Sequence, residues 1–392
     1  MSGPLAGVRV LDLSRILAGP WATQLLADLG AEVVKIEHPE RGDDTRRWGP
    51  PWLKDRDGRD TGESAYYLAA NRGKHSVAID LGTPEGAAQV RALAARAHVL
   101  VENFKVGGLA RHGLDWASLQ TINPALVYCS ITGYGQTGPN AGRAGYDAAI
   151  QAEAGLMSLT GEPDGSPGAG PQKVGVAVAD ITTGLYAAVG ILAALRHAEA
   201  TGEGQHLDLA LYDTQAAWLA NQAMNWLVGG ELPQRLGTAH PNIVPYQAFA
   251  AADGHFMLAV GNDAQFARCT AAIGRPELAA DPRFASNAAR VAHRAELLPR
   301  LAERFSSAPV AHWLAVLEAA TVPAGPIQTL DQVFASPQAE ARRLVRQLPH
   351  PLAGQVPSVA CPLNFSATPL ADGRAPPLLG ADTEAVLARW RA

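Results

Sequence analysis

Short apolar runs, each followed by a stretch of helical period, recur through the first half of the chain. Residues 8–13, VRVLDL, form the first run and suit a buried strand. Residues 21–29 have helical spacing, with Pro20 in the first turn and Gly30 as a left-handed cap. Residues 31–37, AEVVKIE, are the next strand, so the opening predicts a right-handed βαβ unit with parallel strands. A polar excursion over 38–75 is long for a plain connection and suggests a functional segment. The rhythm then resumes with strand 76–81, helix 84–96 capped by Thr83, and strands 98–102 and 126–132. Residues 174–179 make another apolar run, ahead of a small-residue helix over 184–197, a strand over 206–212 and a helical stretch over 213–228. This alternation predicts an α/β, doubly wound, Rossmann-like parallel sheet over 1–228.

The pattern changes from about residue 229. A Pro/Gly-rich connection leads to apolar runs at 248–251 and 255–260 around Ala252-Asp253-Gly254, a hairpin signal. Helical patterns follow at 263–273, 294–306 and 309–319, which predicts a small α+β domain over 229–325. Segment 326–392 is Pro-rich, cannot form a core alone, and is expected to complete the large domain.

Composition sharpens this picture. At 392 residues the chain exceeds what one core usually supports. Hydrophobic content of 47% against 18% charged residues is globular. A net charge of −5 offers no basic field, so no nucleic-acid partner is expected. Cys129, Cys269 and Cys361 are scattered and form no CxxC pair, and no histidine pair has ligand spacing, so no metal is expected. The N-terminus lacks a basic segment followed by a long apolar core, and no apolar run approaches the roughly 18 residues of a membrane span. A cytoplasmic location with no membrane partner is the expectation.

In such a sheet the ligand site lies beyond the carboxyl ends of the strands. Segments 14–20, 38–45, 103–105 and 133–138 emerge there. The first turn, Ser14-Arg15-Ile16-Leu17-Ala18-Gly19-Pro20, lacks GxGxxG, which argues against a dinucleotide. Two acids stand out beyond it. Asp147 follows an aromatic in Gly145-Tyr146-Asp147, and Asp180 ends the apolar run before a helix start. Free backbone N–H groups and a positive dipole end there would keep Asp180 ionised. On the residues alone, Asp180 is either an N-cap or a functional acid.

Taken in order, several motifs resemble the class III CoA-transferases, the CaiB/BaiF or formyl-CoA transferase family. They are Leu17-Ala18-Gly19-Pro20, Lys35-Ile36-Glu37, Asn71-Arg72-Gly73-Lys74, Val101-Glu102-Asn103-Phe104, Ser130-Ile131-Thr132-Gly133-Tyr134-Gly135, Gly145-Tyr146-Asp147 and Ala179-Asp180. The resemblance runs from residue 6 to about 345. It implies an interlocked homodimer, each chain threaded through its partner. It makes Asp180 the covalent nucleophile and Asp147 a possible assisting acid. Coenzyme A, entering as acyl-CoA, would be held at Leu17, Ala18, His38, Arg72, Asn103, Phe104 and Arg111. The chain departs from some members at His38, where they have Arg, and at Leu17, where they have Gln. At 236–245 it carries a single glycine, Gly237, where members with a glycine run have a mobile lid.

The implied reaction moves CoA from a succinyl-CoA-like donor to a small carboxylic acid through anhydride and aspartyl-CoA intermediates. A carboxylate suits this, since it attacks a thioester with no proton to lose. N–H groups at the helix start would hold the oxyanion. The related α-methylacyl-CoA racemases carry His before the second acid; Tyr146 stands there and is too weakly basic to replace imidazole. A non-catalytic CoA-binding protein would not need Asp180. Arg46, Arg47, His75, Arg143 and His240 offer cations, and Arg143 or His240 is expected to receive the distal carboxylate of a dicarboxylic acceptor. Leu17 and Met157 suggest a roomy, partly apolar pocket.

Overall fold

The computed structural model describes residues 3–371 and 373–391. Six strands form one parallel sheet: Arg9–Asp12 (β1), Glu32–Glu37 (β2), Lys74–Ala78 (β3), Val99–Glu102 (β4), Val127–Thr132 (β5) and His206–Ala210 (β6). Their order across the sheet is β3-β2-β1-β4-β5-β6, with every neighbouring pair parallel. The strand centres are apolar because both faces are covered, and the charged residues Asp12, Lys35, Glu37 and Lys74 lie buried in or at the ends of their strands. On one face Val10, Val33, Val99 and Cys129 pack with Ala22 and Leu26 of helix Ala18–Asp28 and with Ala187 and Ile191 of helix Val178–Thr201. On the other, Leu11, Val34, Leu100 and Tyr128 pack with Val90 and Leu93 of helix Pro84–Ala94 and with Val386 and Trp390 of helix Thr383–Arg391. Thr83 caps its helix as expected, its hydroxyl accepting from Gly86 N–H at 3.0 Å.

The excursion after β2 is ordered. It holds a 3₁₀ turn over Asp44–Arg47, a hairpin of Trp52–Lys54 with Asp60–Ser64, and helix Ala65–Ala70. Beneath it lies a buried ion network. Lys35 pairs with Asp43 at 2.8 Å, Lys74 with Asp12 at 3.0 Å, and Arg46 with Glu37 at 2.8 Å. Burial opposes the charge on Asp12, yet Lys74 and Lys35 beside it hold its carboxyl down at about 2.

The chain divides into two compact units. The larger comprises the residues up to Leu156, Lys173–Glu231, and the chain from Pro337 on; the smaller comprises Met157–Gln172 and Leu232–Ser336. The smaller unit has an antiparallel sheet of Tyr246–Ala250, His255–Ala259 and Ala324–Pro326, with its own core around Phe256, Phe266, Phe305 and Trp313. Against the expected 229–325, its main segment runs 232–336, and it also takes in 157–172.

Three local expectations are corrected. The run 174–179 is not a strand: the helix begins at Val178 and continues to Thr201, so Asp180 sits inside its first turn rather than capping it. The same helix, with a mean hydropathy of 1.7, is long and apolar enough by length and composition to cross a membrane, which the charge-broken sequence pattern concealed. Nearly half of its most apolar window is buried inside the fold. Finally, the tail contains an antiparallel hairpin, Val345–His350 with Gly354–Val359, in a segment whose prolines hide any strand period.

Candidate active site

The strand order reverses between β1 and β4, so the segments leaving those two strands diverge and open a crevice. A cleft of about 680 Å³ lies there, lined by Leu17, Ala18, Asn103, Phe104, Arg111, Arg143, Tyr146 and Asp180. A second cavity of about 300 Å³ shares Arg15, Phe104 and Arg111 with it, and adds His38, Arg41 and Asp80 from beyond β2 and β3. The helices Ala18–Asp28 and Val178–Thr201 meet closely because Gly184 has no side chain. A Cβ at that position would stand 2.7 Å from the carbonyl oxygen of Ala18. Asp180, one turn before Gly184, is thereby set in the same cleft as Leu17 and Ala18.

The N-terminus of helix Val178–Thr201 is already occupied. Asp147 Oδ1 accepts from Ala179 N–H at 2.8 Å and from Asp180 N–H at 3.3 Å, while its Oδ2 accepts from Gln151 Nε2 at 2.7 Å. Val178 N–H donates to Val176 O. These donors are therefore not free to hold an oxyanion, contrary to the sequence expectation. The Asp180 carboxyl itself makes no hydrogen bond or ion pair among the described residues. Burial, and then the nearby Asp147 carboxylate, push it up to about 7. The expectation of a helix start that keeps Asp180 ionised is overturned, because a second carboxylate fills that place. Helix Ala18–Asp28, by contrast, has no side-chain cap and no acid in its first turn. Among the described residues, the N–H of Ala18, at the cleft wall, makes no backbone hydrogen bond.

An unengaged carboxyl in a cleft at the switch point of a parallel sheet fits acyl transfer, and the comparisons agree. The chain matches CoA-transferase family III over residues 5–383. The chain belongs to this family. It is 52% identical to the succinate–glutarate CoA-transferase of Agrobacterium fabrum over 98% of this chain and 95% of that one. It is 44% identical to the succinyl-CoA:glutarate CoA-transferase of Homo sapiens, over 98% of this chain and 85% of that one. Among solved structures, a CaiB/BaiF family protein from Brucella suis is 50% identical, with a TM-score of 0.87 and both chains wholly covered.

For a family III CoA-transferase, most of the sequence-selected positions converge. Leu17, Ala18, Asn103, Phe104, Arg111, Arg143 and Asp180 line the cleft, and His38 lines the adjoining cavity. Arg72 does not join them. Its guanidinium is spent on Asp28, at 2.9 and 2.6 Å, and on the carbonyl of Val359 at 2.9 Å, which ties the C-terminal hairpin down. His240 and Met157 belong to the smaller unit. Burial and the neighbouring Arg294 lower the His240 imidazole pKa from its ordinary value. Arg46 and His75 are paired with Glu37 and Asp382. No group of three or more His, Cys, Asp or Glu side chains placed to hold a metal occurs among the described residues.

Some site residues were not legible. Burial, and then the charges of Asp180, Asp147 and Asp43, raise the Tyr66 phenol pKa. Its edge-on contact with Trp48, with ring centroids at 5.1 Å, sets its orientation. Gln151 ties Asp147 to Val174 N–H at 2.9 Å. Only the spacing of Asp147 and Gln151, one helical turn apart, signals that pairing in sequence.

Proposed function

We propose that Asp180 is the nucleophile of this CoA-transferase and that the enzyme moves CoA from a succinyl-CoA-like donor to a free dicarboxylate. The observation that carries this reading is the unpartnered Asp180 carboxyl in the cleft, where Asp12, Asp43 and Glu37 nearby are all tied to cations. An Asp180 oxygen attacks the thioester carbonyl, the C–S bond breaks, and CoA thiolate departs, leaving a mixed anhydride. The thiolate then attacks the Asp180 carbonyl, giving an aspartyl-CoA thioester and the freed donor acid. The acceptor carboxylate repeats the two steps in reverse and regenerates Asp180. Charge on the carbonyl oxygens is stabilised from the uncapped start of helix Ala18–Asp28. Leu17, Ala18, Asn103, Phe104 and Arg111 hold the CoA, with His38 and Arg111 toward its phosphates. Arg143, in the same cleft, receives the distal carboxylate. The glutarate-using relatives support a dicarboxylate. Mass spectrometry of a mixture of succinyl-CoA and glutarate should show glutaryl-CoA and succinate in equal amounts; hydrolysis to free CoA without transfer would contradict the proposal.

The working unit in this proposal is the interlocked homodimer. The larger unit exposes an apolar face on helix Val178–Thr201, where Leu185, Tyr186 and Val189 are 46%, 48% and 66% accessible. Trp226, Leu227 and Val228, on helix Ala220–Gly229, are exposed as well. A monomer seldom leaves so many large apolar side chains in water. Sedimentation at nanomolar concentration should find only dimer, since threaded chains separate only by unfolding; a monomer in reversible exchange would rule out threading.

A further inference from the structure

The loop joining β1 to helix Ala18–Asp28 forms the cleft wall, and it contains a strained residue. Ile16 has φ +72°, in the left-handed region that a β-branched residue almost never occupies. Its side chain lines the cleft beside Leu17 and Ala18. Such a conformation persists only where the surroundings over-determine it, and here the hold is a side chain. Both oxygens of Asp43 accept from Ile16 N–H, each at 3.3 Å.

Asp43 is itself fixed and fully buried. It pairs with Lys35 at 2.8 Å and accepts from Thr45 N–H at 2.9 Å and from the Thr45 hydroxyl at 2.7 Å. Lys35 Nζ reaches over to Ser14 O at 2.7 Å. One buried ion pair therefore grips the loop on both sides of Arg15. The geometry points to Asp43 as a positioning residue for acyl-CoA binding: with Lys35, it holds Ile16 in its left-handed turn and thereby sets the cleft wall formed by Ile16, Leu17 and Ala18. The inference rests on the CoA-transferase reading. It assigns Asp43 no contact with substrate. Asp180 stands on a different helix and keeps its place when the loop relaxes, whereas the helix start at Ala18 moves with the wall.

The test is a cycle of Asp43→Asn, Ile16→Gly and the double variant, with CoA affinity read by calorimetry and kcat and KM by succinyl-CoA turnover. Asn keeps the volume of Asp43 but loses the charge that Lys35 and the Ile16 N–H require. Release of the left-handed strain should weaken CoA binding and raise KM for succinyl-CoA about tenfold, with a smaller fall in kcat because the helix start at Ala18 shifts with the wall. Glycine takes φ +72° without penalty, so Asp43→Asn should cost far less affinity when added to Ile16→Gly than when added to the wild type, and Ile16→Gly, which also removes a side chain from the cleft wall, serves as the reference for the double variant. CoA affinity unchanged in Asp43→Asn, or an equal loss from Asp43→Asn in both backgrounds, would overturn the assignment. A purely structural Asp43 would lower the melting temperature without a rescue of affinity by glycine. If Asp43→Asn does not fold, Ile16→Gly should melt above Ile16→Ala, because Ala keeps the left-handed strain; a Gly variant melting at or below the Ala variant overturns it equally. Wild-type protein that binds no CoA would remove the transferase reading instead.

Discussion

Replacing Asp180 by Asn should lower kcat by about 10⁴-fold or more, the scale on which enzymes lose activity when the covalent nucleophile is removed. CoA affinity should change little, because the CoA-holding residues lie on other elements. The wild-type enzyme should show kcat/KM rising with pH around a midpoint near 7, since only ionised Asp180 attacks and burial with Asp147 places its titration there. Stability should run the other way. An unfolded Asp titrates at about 3.9, so between there and 7 the folded chain holds a proton that the unfolded chain has lost. The stability tied to protonated Asp180 is complete below the unfolded value and is lost as pH rises through 7. Asn carries no such proton, so the melting temperature of Asp180→Asn should gain on the wild type between pH 4 and pH 8. A variant losing ground over that range would show that Asp180 is not held in an unfavourable charged state.

Arg143 should discriminate between acceptors by the second carboxylate. Its guanidinium lies over the Tyr134 ring, 4.8 Å from the centroid, and pairs with Glu153 at 2.7 Å, so it is oriented while still facing the cleft. Arg143 is about half exposed, and a charge-assisted pair to a carboxylate there still exceeds a neutral hydrogen bond. Wild-type kcat/KM for glutarate should therefore exceed that for butyrate by roughly 10- to 100-fold. Arg143→Met should erase most of that ratio while leaving butyrate turnover near its original rate. Equal losses on both acids would assign Arg143 to the shape of the cleft, and equal wild-type values would show that no cation reads the second carboxylate.

The parallel sheet was legible because its strands are buried on both faces, and runs such as Val33-Val34 carry that signal without any partner. The strand order was not, since nothing local distinguishes β2 beside β1 from β4 beside β1. Asp180 was legible through its setting, yet the start of its helix was misplaced. The apolar run before it imitates a strand, and the residue that caps the helix, Asp147, lies 33 positions earlier. Long-range pairing also hid the place of Arg72, whose partner Asp28 is 44 residues away. The hold of Asp43 on Ile16 is equally silent in sequence: an isoleucine gives no hint of a left-handed backbone, and an Asp before Asp-Thr-Arg-Arg looks like a simple turn cap.

The most direct test of the central claim is to incubate the enzyme with succinyl-CoA alone, quench it, and map modified peptides by mass spectrometry. The account predicts a succinyl or CoA adduct on the peptide bearing Asp180, absent from Asp180→Asn and discharged by added glutarate. Turnover at full rate with an adduct on another residue, or with Asp180→Asn still active, would contradict it.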